Sequence, residues 1–338
     1  MRIDIVFIRC KRLASVSAHR KLIASPIATH NPLQNSNKIR LFAPRFWPTW
    51  LGLGLLRMCV PLPYAALMMM GRGLGFALRM LPVRFVTIAK RNIELCLPEL
   101  TADQRKRMLH AHFASLGMGL FETALSWWGS PQRCLQLTRI EGMEHLDAAL
   151  SKGKGAILLC AHFTTIEMSG WALAVRIPFN IMYRPTRNAV MEYFLSRNRA
   201  RRLRRAIRRD DVRTLITALK ENEAVWYAPD QSYRNKGAQL VPFFNVPCAT
   251  NVATSRLAKM TGAAVLPYMP ERLPNNAGYK MTIFPAFENF PSDDAVADTV
   301  RYHHFIETQI RHVPEQYFWI HRRFKGLNED YPNYYSRR

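Results

Sequence analysis

Short apolar runs that end in a polar or bent segment recur through the second half of the chain. Four of them cover residues 156–160, 180–183, 224–228 and 263–266, and helical stretches separate them. Uninterrupted apolar runs of this length are typical of strands buried on both faces. The alternation predicts an α/β fold in which a largely parallel mixed sheet, beginning after residue 146, is flanked by helices.

Helix signals fill the first half of the chain. Thr101 and Gln104 form a capping-box pattern, which predicts a helix from there to about Trp128, and residues 85–100 are predicted to form the preceding helix and turn. Further on, we expect a helix that starts at residues 249–251 and ends at Gly262.

Residues 46–81 are the most hydrophobic part of the chain. Arg57 and Arg72 divide this segment into runs shorter than the roughly 18 to 20 residues of a membrane span, and Pro61 and Pro63 interrupt any single helix. The pattern predicts a membrane-embedded or interfacial anchor made of two short helices. A tilted span with Arg57 reaching the headgroups and a buried hairpin in a soluble fold are the alternatives.

Charge and cysteine usage narrow the possible partners and compartment. The 338 residues carry a formal net charge of +24, which indicates an anionic partner such as nucleic acid, acidic lipid or an acidic protein. The six cysteines have neither the spacing of a zinc site nor that of a disulfide framework. We therefore expect reduced thiols on the cytoplasmic side.

A basic stretch at residues 197–213 contains nine arginines. No helix-turn-helix, zinc-finger or RNP pattern accompanies it, so recognition of anionic lipid or phosphate is favoured over nucleic-acid binding. A solvated basic helix without a ligand is the other interpretation.

The main candidate for catalysis lies where the first apolar run meets a helix. His162 follows residues 156–160, and Glu167 stands five positions later, at the start of a helical pattern. Five helical residues rotate a side chain by roughly 140°, so the two can meet only if His162 precedes the first helical turn. An imidazole oriented by a carboxylate can take a proton from a hydroxyl nucleophile. An ordinary polar pair is the alternative.

Two other apolar runs end in charged residues. Arg184 follows the second run, and Asp230 follows the third. Because ligands collect at the carboxyl ends of parallel strands, we expect both side chains near His162. A structural ion pair is the alternative role for Arg184.

Several segments together resemble one known family. The H-x4-E spacing of residues 162–167 resembles the H-x4-D/E signature of the glycerolipid acyltransferase superfamily. The segments WYAPDQ…VPFF…CATN and PEQYFWIHRRF resemble its lipid A biosynthesis branch of the lauroyl type. The resemblance covers about residues 44–326. It implies a glycerolipid acyltransferase-like fold with a membrane anchor at 44–82, an acyltransferase domain at 83–338 and a basic, disordered extension at 1–43.

The resemblance also implies a reaction. A fatty acyl chain, lauroyl or similar, would pass from acyl carrier protein to a hydroxyl of a Kdo-modified lipid A precursor, with no metal and no cofactor. His162 would be the base, Glu167 would orient it, and Arg184 would stabilise the oxyanion. The substrate-binding residues would further include Asp230, Gln231 and Arg187.

The implied location is the inner membrane, with the catalytic domain facing the cytoplasm. The expected partners are acyl carrier protein, a phosphorylated glycolipid acceptor and anionic membrane lipids, without nucleic acid. Two departures from the family pattern are Arg57 in the apolar segment and Gln231-Ser232, where lauroyl members often have His-Asp. The alternatives are a myristoyl, palmitoleoyl or lysophospholipid acyltransferase, or a membrane-tethered nucleic-acid-binding protein.

Overall fold

The structure is a computed structural model that describes residues 41–336. Most of the predicted extension at 1–43 therefore lies outside the described residues. Eleven α-helices are present in this part of the chain: α1 Trp47–Cys59, α2 Tyr64–Met80, α3 Arg84–Cys96, α4 Ala102–Trp128, α5 Pro131–Leu137, α6 Met143–Leu150, α7 Ile166–Ala174, α8 Ala189–Ala200, α9 Val212–Lys220, α10 Ala253–Thr261 and α11 Ala295–His312. The strands are β1 Thr138–Glu141, β2 Ala156–Leu159, β3 Phe179–Tyr183, β4 Arg205–Arg208, β5 Ala224–Tyr227, β6 Ala238–Phe243, β7 Val246–Asn251, β8 Ala264–Arg272 and β9 Tyr279–Ile283.

Seven of the strands form one sheet in the order β1-β9-β8-β2-β5-β3-β4. Every pairing in it is parallel except β8 with β9, so the predicted largely parallel mixed sheet is confirmed. The remaining strands, β6 and β7, pair as a separate antiparallel hairpin. The sheet has β2 near its centre, between β5 and β8.

Strand β2 is buried on both faces, as its apolar run predicts. Ile157 and Leu159 pack into the core on one side of the sheet, whereas Leu158 and Cys160 pack into the core on the other. The side chains alternate because successive residues of a strand point to opposite faces. The end of β2 therefore lies in the interior of the protein.

All four predicted strands exist, but two expectations about their surroundings were wrong. The sheet begins earlier, with β1, and residues 249–251 end strand β7 instead of starting a helix. The expected helix is α10, which begins at Ala253 and ends before Gly262, whose φ is +73°. Residues 249–251 are extended because they pair with residues 238–240 across the hairpin, a contact that local helix signals do not encode.

The basic stretch 197–213 is also not a single helix. It runs from the last turn of α8 through β4 into the first turn of α9, and β4 pairs with β3. Several of its charges are neutralised: Arg204 lies 2.5 Å from Glu223, and Arg205 lies 2.7 Å from Glu221. Ion pairing and strand formation leave no continuous basic helix face here.

The N-terminal hydrophobic segment forms two helices, α1 and α2, with Pro61 and Pro63 between them, as predicted. Helix α2 packs closely on α4 through glycines. A Cβ atom on Gly75 would lie 2.0 Å from the Phe113 carbonyl oxygen, and one on Gly117 would lie 2.1 Å from the Gly71 carbonyl oxygen. The predicted capping box of α4 is confirmed as well.

The outer faces of α1 and α2 leave large apolar side chains exposed, among them Trp47, Leu51, Leu55, Met58, Met69, Phe76 and Met80. Within residues 41–336, none of the helices taken singly has the length and apolarity needed to cross a bilayer. The consecutive helices α2 and α3 together have the length and composition of a membrane span, but the two are bent by 95° relative to each other. Large exposed apolar patches commonly mark interaction surfaces.

Candidate active site

The candidate site lies where β2 and β5 end side by side. These strands are parallel neighbours, with Leu159 opposite Tyr227. His162 and Asp230 each stand three residues beyond that pair, so the two chains deliver them to the same point at the carboxyl edge of the sheet. Parallel sheets commonly bind their ligands at this edge.

His162 and Asp230 form a tight pair. Nδ1 of His162 donates to Oδ1 of Asp230 at 2.6 Å, and the backbone N–H of His162 donates to Oδ2 at 2.9 Å. The Tyr317 hydroxyl donates to the same Oδ2 at 3.1 Å. The Asp230 side chain is 1% exposed and the His162 side chain 28% exposed. Asp230 is thus held on three sides, while the imidazole reaches the surface.

The pair shifts the pKa of both members. Burial lowers the pKa of His162, but the negative charge of Asp230 and its hydrogen bond raise the value by more, so the net pKa is above its ordinary value. Burial raises the pKa of Asp230, whereas the charge and hydrogen bonds of His162 bring that pKa down to about 2. Asp230 is therefore ionised at neutral pH and favours a proton on His162.

Glu167 lies in the first turn of α7, but the structure brings Asp230, not Glu167, to the His162 ring. The Glu167 carboxylate accepts a hydrogen bond of 3.1 Å from Nε1 of Trp127 and lies 3.9 Å from the Arg199 guanidinium. These are its polar side-chain partners in the described part of the chain. The turn between His162 and α7 keeps both residues on the same edge of the sheet, and a catalytic role for Glu167 stays a prediction.

The other predicted site residues follow the ends of β3 and β5 or precede α8. Arg184 follows β3 and Arg187 precedes α8, and both side chains are exposed; Gln231, next to Asp230, is partly buried. Within residues 41–336, none of the three forms a side-chain hydrogen bond or an ion pair. Their roles in substrate binding stay predictions.

A second histidine lies close to the pair, and its ring nitrogens have defined roles. The backbone N–H of Ser232 donates to Nε2 of His321 at 3.3 Å, so the proton of the neutral ring is on Nδ1. Burial is the main cause that lowers the pKa of His321 to about 4; Asp230 opposes it and His162 adds to it. His321 is therefore neutral at physiological pH.

Sequence reasoning missed Tyr317 and His321 as site residues. Both belong to the segment PEQYFWIHRRF, whose sequence signal was its resemblance to the acyltransferase family. That segment reaches the site through backbone contacts: Phe318 N–H donates to the His162 carbonyl at 2.9 Å, and Thr164 N–H donates to the Gln316 carbonyl at 2.8 Å. Polar residues inside an aromatic segment were the only local signal.

A buried ion pair supports the turn that carries His162. Arg272, at the end of β8, pairs with Glu122 of α4, and both side chains are at most 7% exposed. Arg272 also donates to Ser115 at 2.8 Å and to the Thr164 hydroxyl at 3.2 Å. Because a buried charge without its partner is strongly destabilising, this network ties β8, α4 and the turn together.

The arrangement is suited to activating a hydroxyl group. Asp230 fixes a proton on Nδ1, which leaves Nε2 of neutral His162 to accept a proton from a nucleophile and to be stabilised as imidazolium afterwards. Over residues 41–336, no group of three or more His, Cys, Asp or Glu side chains is arranged to hold a metal ion.

Comparison with known proteins matches most of the chain to one family. The sequence profile of the bacterial lipid A biosynthesis acyltransferases matches residues 35–326. The lipid A biosynthesis lauroyltransferase of Escherichia coli K12 is 38% identical over 297 residues, which are 87% of this chain and 97% of the relative. The palmitoleoyltransferase of the same strain is 38% identical over 283 residues, 83% of this chain and 92% of the relative. A lipid A biosynthesis acyltransferase of Haemophilus influenzae is 33% identical over 299 residues, 87% of this chain and 96% of the relative.

Proposed function

The chain belongs to the bacterial lipid A biosynthesis acyltransferase family, and on that premise we propose that it transfers a fatty acyl chain from acyl carrier protein to a hydroxyl of a Kdo-modified lipid A precursor. The observation that carries the proposal is the His162–Asp230 pair at the carboxyl edge of the sheet. A thioester donor and a hydroxyl acceptor need a base of this kind and no redox step.

In the proposed mechanism, Nε2 of neutral His162 takes the proton of the acceptor hydroxyl as its oxygen attacks the thioester carbonyl carbon. The tetrahedral intermediate carries a negative oxygen, which Arg184 stabilises, and Asp230 stabilises the imidazolium that has formed. The carbon–sulfur bond then breaks, His162 returns the proton to the leaving thiolate, and an ester and a free thiol result. The base is regenerated without any other reactant.

The other predicted residues receive supporting roles in this proposal. Glu167 is a second carboxylate at this edge of the sheet, and Trp127 and Arg199 restrain it. We assign it the orientation of the acceptor hydroxyl, because Asp230 already occupies Nδ1 of His162. We assign substrate binding to Gln231, which adjoins Asp230, and to Arg187, which precedes α8.

We further propose that the enzyme works on the cytoplasmic face of the inner membrane, held there by the outer faces of α1 and α2. This is supported by their exposed apolar side chains, such as Met58 at 77% and Met69 at 66%. Arg57 also fits such a surface, because its guanidinium stacks 5.7 Å from the Trp128 ring centroid. Helices α1 and α2 then act as an interfacial anchor, and the basic residues near them contact anionic lipid headgroups.

The test is transfer by the purified full chain, given radiolabelled acyl carrier protein and the lipid A precursor. We expect labelled lipid from the wild type and about 10² to 10⁴ times slower transfer by His162→Ala. Donors carrying lauroyl, myristoyl or palmitoleoyl chains identify the acyl group, since the lauroyl and palmitoleoyl relatives are equally similar at 38%. Transfer only to a lysophospholipid would refute the acceptor, and retention of nucleic acid without any transfer would refute the enzyme assignment.

A further inference from the structure

The C-terminal segment and the loop after Asp230 bring three positively charged residues next to the active site. Arg322 follows His321 directly, Lys325 lies three residues further on, and Arg234 lies in the loop after Asp230. We refer to Arg234, Arg322 and Lys325 as the C-terminal basic cluster.

Backbone hydrogen bonds hold the members of this cluster together. Ala249 N–H donates to the Lys325 carbonyl at 2.7 Å, and Tyr233 N–H donates to the Ala249 carbonyl at 3.1 Å, so the residue before Arg234 and Lys325 both pair with Ala249. The contact from Ser232 N–H to His321 ties the same two segments once more. The proximity therefore comes from the fold and does not depend on the rotamers of long side chains.

The two consecutive arginines of this segment have different environments. Arg323 is buried and donates to the Ala249 carbonyl at 3.1 Å and to the Thr250 hydroxyl at 2.8 Å. The guanidinium carbon of Arg322 instead lies 5.4 Å from the centroid of the Tyr335 ring, and its Nε is buried without a hydrogen-bond partner in the described part of the chain. Arg323 anchors the segment, which leaves Arg322 with unused donors.

Among the described residues, no carboxylate neutralises the cluster. Across residues 41–336, Arg234, Arg322 and Lys325 form no ion pair, whereas exposed Arg208 and Arg311 pair with Asp210 and Glu99. Burial and the charges of Arg322, Arg234 and Arg184 lower the pKa of Lys325. Like charges held this close repel one another, and an anion bound among them would remove that repulsion.

We propose that the C-terminal basic cluster binds a phosphate monoester of the glycolipid acceptor and thereby positions the acceptor hydroxyl at His162. The inference rests on the proposed function. A phosphate monoester carries close to two negative charges at neutral pH and offers three acceptor oxygens, which suits three cations with free N–H donors. The phosphodiester in the prosthetic arm of acyl carrier protein carries only one negative charge and matches the cluster less well.

The kinetic test compares Arg234→Ala/Arg322→Ala with a control that also removes two cations, Lys152→Ala/Lys220→Ala. Both control lysines are exposed and precede β2 and β5, at the opposite edge of the sheet from His162. We expect the cluster variant to raise KM for the phosphorylated acceptor by roughly 10- to 100-fold, with KM for the donor unchanged and the control near wild type. An acceptor stripped of its phosphates should show no difference between the variants.

Three results would overturn the assignment. They are an equal effect on phosphorylated and dephosphorylated acceptors, an effect confined to KM for the acyl carrier protein donor, and an effect no larger than that of the control. A binding measurement separates this inference from the proposed reaction. The affinity for the phosphorylated precursor is measured for His162→Ala and for His162→Ala/Arg234→Ala/Arg322→Ala. Neither variant needs to catalyse transfer for this measurement. Loss of binding in the second supports the cluster even if transfer is never observed, and equal binding refutes it.

Discussion

Nδ1 of His162 lies 2.6 Å from Oδ1 of Asp230, although 68 residues separate the two along the chain. The carboxylate holds a proton on Nδ1 and leaves Nε2 as the basic nitrogen. A carboxylate that is 1% exposed and ionised beside an imidazole makes that nitrogen a stronger base.

Replacing Asp230 by Asn should remove most of the activity. The amide keeps the size of the side chain but not its charge, and it can turn its NH₂ group toward Nδ1, which favours the wrong tautomer. We expect kcat to fall by about 10² to 10⁴. Circular dichroism checks that the fold is intact; a folded variant with wild-type kcat would contradict the role of Asp230.

The same substitution should change the dependence of activity on pH. Asp230 raises the pKa of His162, and transfer needs the neutral imidazole, so the wild-type rate should increase as pH rises through that raised pKa. Without the carboxylate, the inflection in kcat/KM should move to lower pH, at a much lower plateau. Unchanged inflections in both enzymes would show that the titrating group is not His162.

Glu167→Gln should reduce kcat, but by less than His162→Ala does. The amide oxygen can still accept the hydrogen bond from Trp127, so the turn should stay folded while the negative charge is lost. Removing the base itself costs the full general-base contribution, of order 10² to 10⁴ in rate. Single-turnover rates for the two variants show which substitution slows transfer more. A wild-type rate for Glu167→Gln would mean that Glu167 has no catalytic role.

Arg184→Ala should lower kcat and kcat/KM together, since an oxyanion contact forms mainly in the transition state. Lysine should restore little, because a point charge lacks the planar fork of the guanidinium. The matched control is Arg201→Ala, an exposed arginine just beyond α8. A defect of Arg184→Ala that is confined to KM and disappears at high salt would instead indicate electrostatic attraction of substrate.

Polar substitutions on the outer faces of α1 and α2 should weaken membrane association. If each methionine side chain contributes about 1 kcal/mol on insertion, the two contribute about 2 kcal/mol, and Met58→Gln/Met69→Gln should bind lipid vesicles roughly 30-fold less tightly. The control pair, Leu240→Gln/Met260→Gln, changes side chains that are 43% and 60% exposed elsewhere in the fold. Cosedimentation with vesicles in 1 M salt, where the Debye length is about 3 Å, measures the apolar contribution to binding without the electrostatic one. Equal binding by both pairs of variants would show that the outer faces of α1 and α2 do not bind the membrane.

Acid should destabilise the protein partly through His303. Burial and the charge of Arg323 lower the pKa of this histidine to about 3, and its Nδ1 is 2.8 Å from the Pro242 carbonyl oxygen. Because the folded pKa lies below the unfolded value of about 6.5, the unfolded chain binds more protons between these pH values, and stability falls as pH falls through this range.

His303→Gln should therefore make stability less dependent on pH. Below about pH 6, the slope of unfolding free energy against pH should decrease by about 1.4 kcal/mol per pH unit. The exposed neighbour supplies the control, His304→Gln, which removes a histidine from the same helix. Urea unfolding at pH 7 and pH 4.5 gives both slopes, and the same slope change in the two variants would rule out a specific effect of burial.

Local patterns determined much of this protein. The apolar run of β2 predicted a strand buried on both faces, Thr101 and Gln104 predicted the start of α4, and two prolines predicted the break between α1 and α2. These features follow from side-chain periodicity, capping and the missing proline N–H, which act over a few residues. The aromatic and basic segments that resemble the acyltransferases identified the family, because each is a contiguous stretch of sequence.

The tertiary structure decided which of the predicted groups make contact. The sequence predicted that Asp230 lies near His162 but assigned the orienting carboxylate to Glu167, and only the fold shows that Asp230 is the carboxylate at the ring. Asp230 became the partner of His162 because β2 and β5 are neighbours in the sheet, and Tyr317 joined them because its segment pairs with Phe163 across 154 residues of chain. Part of the arginine-rich stretch became strand β4 because β3 offered an open edge. Strand order and the pairing of distant segments depend on how whole elements pack, and short-range sequence patterns do not encode that packing.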